Sequence, residues 1–304
     1  MKRREVITLL GGAATWPLAA SAQQGNRVRR IGVLMPFDEN DPEGKRRLSA
    51  FTQALADLGW TDGRNVRVDL RWGGGDINRM RMLARELVSL QPDIILTSTA
   101  PATAAVQRET RTIPIVFAAV SDPVALRIVE RLNRPSGNTT GFADFEGTLG
   151  GKWLELLSEI APGLKRAAIM FNPDTSTDAL VHIPLLETAA RSLKVVPIIA
   201  PVRSDGEIET ALIALGREPG GGLVCLPDGG FTLTHRAPII LAAARNNVPA
   251  VYIASTFARD GGLLSYGPDL VDPFLRSASY VDRILRGEKR SDLPVQFPTK
   301  FEMV

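Results

Sequence analysis

Strand patterns and helix patterns alternate along almost the whole chain, and this alternation restricts the fold more than any other feature of the sequence. The short apolar run 31–35 is followed by a segment in which Leu48, Phe51 and Leu55 recur at spacings of three and four. The first pattern is typical of a buried strand and the second of an amphipathic helix. Regular alternation of the two indicates a mostly parallel sheet covered by helices on both faces, so we predict an α/β protein.

The alternation runs twice through the sequence and is followed by a mixed tail. The first run includes a helix pattern at Leu126, Val129 and Leu132 that stops at Pro135. The tail holds a strand pattern, a helix pattern and an extended end, which could return to the first lobe and cross back again. We therefore predict two Rossmann-like lobes with parallel sheets joined by a multi-strand hinge. The N-terminal lobe comprises 27–140 plus 261–286, and the C-terminal lobe comprises 141–260 plus 287–304.

The first 22 residues have the features of an export signal. A basic start, Met1 to Arg4, precedes an apolar region that runs to Leu18, and Ala20-Ser21-Ala22 fits the small-residue cleavage rule. Cleavage is predicted after Ala22. The pair Arg3-Arg4 also resembles a twin-arginine signal, so general secretion and twin-arginine export both remain open. Either route leads to the periplasm.

Composition argues against several classes of partner and cofactor. The chain has 304 residues and a formal net charge of +3, but without the leader charges Lys2, Arg3, Arg4 and Glu5 only 33 basic residues face 32 acidic ones. That balance gives no reason to expect nucleic-acid binding. A single cysteine, Cys225, excludes an internal disulfide and a cysteine-based metal set. We expect no cofactor and no metal.

Polar residues that follow predicted strands are the candidate ligand contacts. Ser98-Thr99 and Ser121-Asp122 come directly after the third and fourth strands, and open α/β sheets bind ligands beyond the carboxyl ends of their strands. Hydroxyls and helix-start N–H groups suit an anion, while a carboxylate suits an ammonium group, so a small zwitterion or polar metabolite is expected. The candidate residues are Phe37, Asp38, Ser98, Thr99, Ser121, Asp122, Asn172 and Asp228.

Some of these residues also have purely structural interpretations. Asp122 could cap a helix that begins at Pro123, and Asp228-Gly229-Gly230 could form a plain turn. Phe37 has the stronger functional case, because an exposed aromatic ring in a polar loop is costly unless something packs on it. An enzyme that uses Asp122 or Asp228 as a general base, and a ligand sensor for a membrane receptor, remain alternatives to a binding protein.

Five sequence blocks resemble a known family. They are RRIGVLMP, QPDIILTSTAPATAAVQRETRTIPIVFAAVSDPV, RPSGNTTGF, AAIMFNPDTS and YVDRILRGEKRSDLPVQFP, and together with the leader they are similar to the ABC transporter substrate-binding proteins of the TrpX-like family. The resemblance covers nearly all of the chain after the leader. It implies a non-enzymatic protein with the type I periplasmic binding fold, which closes two lobes on a small ligand and delivers it to a membrane permease.

The resemblance also implies ligand contacts at the same eight positions. In relatives that bind aromatic amino acids, the loop with the last carboxylate reads roughly P-x-D-N, whereas Pro227-Asp228-Gly229-Gly230 lacks the amide. The resemblance thus leaves the ligand open between an amino acid and another polar metabolite. We expect a monomer, because the helical apolar stripes leave no surplus apolar face.

Overall fold

The computed structural model describes residues 27–135, 137–145, 149–176, 179–226 and 230–304, so the predicted leader lies outside the described residues. None of the described helices is long and apolar enough to cross a membrane. The strands are β1 (Arg29–Met35), β2 (Val66–Trp72), β3 (Ile94–Ser98), β4 (Ile115–Val120), β5 (Thr139–Ala143), β6 (Arg166–Phe171), β7 (Val196–Pro201), β8 (Gly221–Cys225), β9 (Ala250–Tyr252), β10 (Leu264–Pro268) and β11 (Phe301–Met303). The helices are α1 (Pro42–Asp57), α2 (Ile77–Ser89), α3 (Ala100–Glu109), α4 (Leu149–Ile160), α5 (Ala179–Ser192), α6 (Asp205–Gly216), α7 (Phe231–Thr234), α8 (Arg236–Arg245), α9 (Ser255–Arg259) and α10 (Asp272–Leu285).

The first sheet has five parallel strands in the order β2-β1-β3-β4-β5. Alternate residues of β1 serve opposite faces: Ile31 and Val33 belong to a core with Phe51 of α1 and Phe274 of α10, whereas Leu34 belongs to a core under α2 and α3. The strand is therefore buried on both faces, as the near-continuous apolar run 31–35 predicts.

The second sheet has six strands in the order β11-β10-β9-β8-β6-β7. Strands β6 to β10 are parallel, and β11 runs antiparallel to β10. Trp153 of α4 is fully buried in this core, and its indole N–H donates to the Tyr266 carbonyl at 2.8 Å. The prediction of two α/β lobes with mostly parallel sheets is confirmed.

The described chain passes between the two sheets at three places. It leaves the first sheet after β5, returns from β10 to α10, and crosses again between residues 297 and 301 to reach β11. On its way, the tail lies beside β5, where Ala143 N–H donates to the Gln296 carbonyl at 2.8 Å. Several crossings side by side are the arrangement that a hinge requires.

Strand pairing differs from the predicted lobe boundaries at two elements. The sequence assigns residues 261–286 to the first lobe, but β10 pairs with β9 of the second sheet. Strand β5 pairs with β4, so the first sheet extends to Ala143, beyond the predicted boundary at residue 140. The strand pattern alone did not show which sheet edge each strand would join.

The helix predicted at Leu126 to Leu132 is wrong. The segment is a series of turns in which Arg127 has a φ of 56°, and the N–H groups of Ile128 and Val129 both donate to the Pro123 carbonyl. A residue in the left-handed region stops helix propagation. Ile128 and Val129 are nevertheless buried against Phe117, which explains why the apolar spacing looked helical.

Candidate ligand-binding site between the lobes

The strand ends of the first sheet concentrate left-handed backbone at non-glycine residues. Thr99 follows β3 with a φ of 70°, Ala119 lies near the end of β4 with a φ of 56°, and Asp122 has a φ of 39°. Each such residue costs on the order of 1–3 kcal/mol, and strain of this kind clusters at functional sites. At Ala119 the pairing of β4 with β5 also shifts register, which redirects the chain at this edge.

A small cavity of about 40 Å³ lies at this edge between the two lobes. Pockets for metabolites usually measure roughly 300 Å³ or more, so the space between the lobes is small in this arrangement. The first lobe contributes Phe37, Arg47, Thr99 and Ala119, the second contributes chiefly Gly230, Thr232, Leu233, Ile253 and Phe257, and the crossing segments contribute Asp144 and Leu270.

Arg47 brings a positive charge to this lining, and its position is fixed from several sides. The residue is only 2% exposed. Its Nε donates to Glu43 at 2.8 Å, and its guanidinium lies 5.1 Å from the centre of the Phe37 ring. Among the described residues, its Nη2 has no hydrogen-bond partner although it is buried. A buried guanidinium nitrogen without an acceptor is costly and suits an anionic ligand group.

Glu43 holds this arginine and shares its charge with a second one. Arg46 donates to the Glu43 carboxylate at 3.0 and 3.2 Å, on the outer side of α1. Burial by itself raises the pKa of Glu43, but the charges and hydrogen bonds of Arg47 and Arg46 outweigh burial and lower the pKa to about 2. The carboxylate therefore stays ionised at neutral pH and keeps Arg47 oriented.

Thr99 places a hydroxyl at the start of α3. Its Oγ1 is buried, and no acceptor or donor for it occurs in the part of the chain that the structure describes. The Thr99 side chain does not cap α3 either, so the first turn of this helix has no side-chain acceptor. A helix N-terminus carries partial positive charge, and together with a free hydroxyl it can receive an anion.

Asp144 brings a carboxylate to the same cavity from the crossing after β5. It is 7% exposed, and its Oδ1 accepts a hydrogen bond from the Phe145 N–H at 2.9 Å. Thr232 of α7 also lines the cavity and donates to the Leu226 carbonyl at 3.2 Å. A guanidinium and a carboxylate on one small cavity are a suitable pair for the two charges of a zwitterion.

The residues predicted from the sequence fall into different positions. Phe37 and Thr99 line the cavity, whereas Asp38 is exposed in the loop beyond β1. Ser98 is fully buried at the end of β3, and its Oγ is without a hydrogen-bond partner among the atoms described here. Asp228 lies outside the described residues.

The remaining three predicted residues lie at strand ends beyond the cavity lining. Ser121 is buried and Asp122 is half-buried after β4. Asn172 follows β6 and is 4% exposed. Its Oδ1 accepts from the N–H groups of Asp174 at 2.8 Å and Thr175 at 3.2 Å. In this arrangement Asn172 organises a turn, as side-chain amides often do after strands.

The sequence analysis did not select Arg47 and Asp144 as candidate ligand contacts, although the sequence pattern around each indicates a functional position. Arg47, Phe51 and Leu55 are spaced by four residues and all buried, so an arginine occupies the apolar stripe of α1. A charged residue in a buried stripe needs a partner and is a functional candidate. Asp144 directly follows β5. The rule that polar residues after strands are candidate ligand contacts, which selected Ser121 and Asp122, therefore applies to Asp144 as well.

Direct contacts join the lobes around the cavity. Arg236 of α8 donates from Nη1 to Asp41 at 3.0 Å and from Nε to Asp260 at 2.7 Å. Asp41 belongs to the first lobe, where it also caps α1 by accepting from the Gly44 N–H. Gly230 approaches Pro36 so closely that a Cβ added to it would lie 3.2 Å from the proline ring. These contacts hold the two strand-end edges together.

Within the described ranges, no group of three or more His, Cys, Asp or Glu side chains is arranged to hold a metal ion.

The family of the chain follows from a model that matches residues 31–304, that of the ABC transporter substrate-binding proteins. The chain belongs to this family. The match spans both sheets and all three crossings, so it includes both lobes around the cavity. Members of the family are substrate-binding proteins. A cavity lined by Arg47 and Thr99, each with a buried polar atom that no described residue bonds, agrees with that role.

Individual relatives align with most of this chain. The tyrosine-binding protein of Clostridioides difficile strain R20291 is 23% identical over 278 residues, covering 91% of this chain and 79% of that protein. A conserved domain protein from Vibrio cholerae is 25% identical and superposes with a TM-score of 0.83, covering 91% of this chain and 92% of the other. These matches support the type I periplasmic binding fold for this substrate-binding protein.

Two further solved structures share the fold of this chain. An ABC domain from Streptococcus pneumoniae in complex with L-Trp has a TM-score of 0.81 at 20% identity, with 90% of each chain covered. The ligand-free, open structure of a substrate-binding protein with adhesive properties from Clostridium difficile has a TM-score of 0.65 at 25% identity, with 91% of each chain covered.

Proposed function

We propose that this chain is the extracytoplasmic substrate-binding subunit of an ABC importer, and that a small polar metabolite such as an amino acid binds between its lobes. The observation that carries the proposal is the cavity itself. Both lobes line it, and it is bordered by the buried Arg47 Nη2 and Thr99 Oγ1, for which the described residues offer no partner. A ligand that supplies acceptors would offset the cost of burying these groups.

Ligand binding is expected to close the two lobes. A ligand that contacts both lobes binds the closed arrangement better than the open one and so shifts the population toward closure. The three crossings between the sheets are the natural hinge, and the Arg236–Asp41 pair is a contact between the lobes that separation would break. A membrane permease would recognise the closed protein.

The sequence supports placement outside the cytoplasm. The basic start, the apolar region and Ala20-Ser21-Ala22 match an export signal, and we propose release after Ala22 into the periplasm. Amino-terminal sequencing of the protein recovered from a periplasmic extract tests this point, and a chain that still begins at Met1 contradicts it.

We also expect a monomer, and light scattering on the purified protein measures its molar mass.

A non-enzymatic role agrees with the composition of the cavity. Of the described residues that line it, Asp144 is the only carboxylic acid, and none is a histidine or cysteine. General acid–base catalysis usually needs a second ionisable group within reach of the first. The cavity is therefore better suited to binding than to turnover.

A thermal-shift screen tests the proposed function directly. The exported protein is heated with amino acids, organic acids, nucleosides and sugars, and each hit is recovered and weighed by mass spectrometry. A ligand at 100 times its Kd stabilises by about 2.7 kcal/mol, which raises the Tm by several degrees. An unaltered ligand supports the binding protein, whereas a compound that is consumed refutes it.

A further inference from the structure

We propose that Arg276 couples the three crossings of the described chain between the lobes, and that this coupling controls how far the lobes open. One guanidinium contacts the chain beside each crossing, so segments that could otherwise bend independently are held together. The expected effect on ligand affinity rests on the proposed function, whereas the effect on the lobes themselves is measured without a ligand.

The first argument is the contact of Arg276 with the third crossing. Arg276 belongs to α10, the helix that follows the second crossing. Its Nη1 donates to the Phe297 carbonyl at 3.3 Å, and its Nη2 donates to the side-chain oxygen of Gln296. From Phe297 the chain continues through residues 298–300 to β11 of the second sheet. The guanidinium therefore fixes the point from which the third crossing starts.

The same guanidinium reaches the chain beside the other two crossings. Its Cζ lies 4.7 Å from the centre of the Phe142 ring, and Phe142 is the second-last residue of β5, where the first crossing begins. Its Nη1 also donates to Asp272 at 3.2 Å, and Asp272 is the first residue of α10 after the second crossing. A planar guanidinium can stack on a ring and donate from its edge at the same time, so one side chain serves all three places.

Tyr280 holds this arrangement in place. It lies one turn after Arg276 on α10, and its ring centroid is 4.5 Å from that of Phe142. The Tyr280 hydroxyl donates to the Pro294 carbonyl at 2.6 Å and accepts from Nε2 of Gln296 at 2.8 Å. Arg276, Gln296 and Tyr280 thus form one connected network, and such a network keeps its members in a single arrangement.

The coupled segments leave short stretches in which the chain can bend. The tail is bound to β5 by the Gln296 N–H, which donates to the Gly141 carbonyl, and by the Ala143 N–H, which donates to the Gln296 carbonyl. Residues 269–271 then separate β10 from α10, and residues 298–300 separate Phe297 from β11. Hinges work through backbone rotation at a few such residues. The contacts of Arg276 confine bending to these stretches and make them move together.

Loss of this coupling should favour open arrangements. When each crossing bends by itself, the number of accessible open arrangements rises, and their conformational entropy with it. The closed arrangement does not gain in the same way, because contacts such as that between Arg236 and Asp41 hold it. The closed population therefore falls, and the apparent affinity for a ligand that binds the closed lobes falls in proportion.

The first experiment compares two arginines of α10 without a ligand. Arg276 lies over Phe142, whereas Arg283, seven residues later, lies over Tyr280 and donates to Glu288 at 2.6 Å. Hydrogen exchange measured by mass spectrometry should show the amides of residues 143 and 296 exchanging at least about tenfold faster in Arg276→Met. X-ray scattering should show a larger radius of gyration for this variant. Arg283→Met should leave both quantities unchanged.

Three outcomes of this comparison overturn the inference. The first is equal exchange at residues 143 and 296 in the two variants, and the second is an unchanged radius of gyration in Arg276→Met. The third is faster exchange throughout both sheets together with a lower Tm, because that result assigns Arg276 to the stability of the fold alone. No ligand enters these measurements, so the proposed function can stand when the inference fails.

The second experiment adds the ligand found in the thermal-shift screen. Calorimetric titration should give an affinity about 3- to 10-fold weaker for Arg276→Met and within about twofold of the unaltered protein for Arg283→Met. An unchanged affinity in Arg276→Met overturns the inference while the proposed function stands. If the screen finds no ligand, the proposed function fails and the ligand-free comparison decides the role of Arg276.

Two milder variants decide the question if Arg276→Met does not fold. Gln296→Leu removes the side-chain acceptor on the third crossing, and Arg276→Lys keeps the charge but lacks the planar fork. Both should give exchange at residue 143 that is faster than in the unaltered protein. Exchange at the rate of the unaltered protein in both variants contradicts the inference.

Discussion

The two lobes bring different kinds of groups to the cavity that they share. The first lobe contributes a buried guanidinium, a strained threonine whose hydroxyl has no partner among the described residues, and the left-handed Ala119. The second lobe contributes mainly apolar side chains, Leu233, Ile253 and Phe257 among them, and its Thr232 hydroxyl already bonds to the Leu226 carbonyl. Among the described residues, the polar atoms without a hydrogen-bond partner in this lining therefore belong to the first lobe, and the second lobe supplies mainly apolar surface.

Backbone strain follows the same division. Left-handed non-glycine residues of the first lobe include Thr99 and Ala119 at the cavity, whereas Lys194 and Asn247 of the second lobe follow the ends of α5 and α8. A left-handed residue after a helix is an ordinary way to end it. If a ligand binds in this cavity as proposed, the first lobe would supply most of its polar contacts. The second lobe would mainly cover the ligand and exclude water, which strengthens charge interactions inside.

The largest effect on stability is expected when an apolar residue of the second lobe that lines the cavity is truncated. Phe257 is 2% exposed and stacks on Tyr252 with ring centroids 4.6 Å apart. Phe257→Ala should lower the free energy of unfolding by about 3–5 kcal/mol, because it leaves a cavity in a close-packed core. Urea unfolding measures the loss. Ligand affinity at a temperature where the variant is folded should fall less than in Arg47→Met, and an equal fall would break the proposed division.

Acid should act on the first lobe through Glu43. The folded-state pKa of Glu43 is lowered from 4.5 to about 2, so ionisation contributes about 3 kcal/mol of stability above pH 4.5. A depressed pKa means that this contribution is present at neutral pH and disappears as the pH falls from about 5 to about 2. Urea unfolding of the protein and of Glu43→Gln over this range should give stability curves that converge at low pH. A constant difference between the curves would contradict the interpretation.

Contact between the lobes should depend on Arg236. Arg236→Met removes a charged hydrogen bond to Asp41 of the first lobe, and bonds of this kind contribute about 1.5–3 kcal/mol. Since the bond between the lobes exists only while they are close together, the variant should favour the open arrangement. X-ray scattering should show a larger radius of gyration with little loss of secondary structure. The control Asp260→Asn removes the partner within the second lobe, so an equal expansion there would contradict the assignment.

The smallest effect on stability is expected at Thr99. Thr99→Val replaces a buried hydroxyl that has no partner in the described residues with a methyl group of similar size, so the free energy of unfolding should change by less than about 1 kcal/mol. Ligand affinity should nevertheless fall about two- to tenfold, because one hydrogen bond to the ligand is lost. Thr99→Ser retains the hydroxyl and should bind like the unaltered protein. A marked loss of stability in Thr99→Val, with unchanged affinity, would assign this residue to the scaffold.

Local sequence patterns predicted much of this fold and part of the site. The apolar runs at β1, β3 and β4 and the spacing in α1 were read correctly, because burial on both faces of a parallel strand leaves a continuous apolar run. The strand-end rule led to Phe37 and Thr99, both of which line the cavity. The same patterns were misleading at residues 126–132, where buried turns imitate the spacing of a helix.

The sequence by itself determined that the chain would form two α/β lobes, because strand and helix periods are local properties that each segment carries within itself. Only the tertiary structure decided that β10 joins the second sheet and that Arg47, on a helix after β1, lies on the same cavity as Thr99 and Asp144. Such neighbours are far apart along the chain, and their approach depends on which edges and faces are left unpaired once the other elements have packed. The grouping of these residues around one cavity is therefore a product of packing between segments.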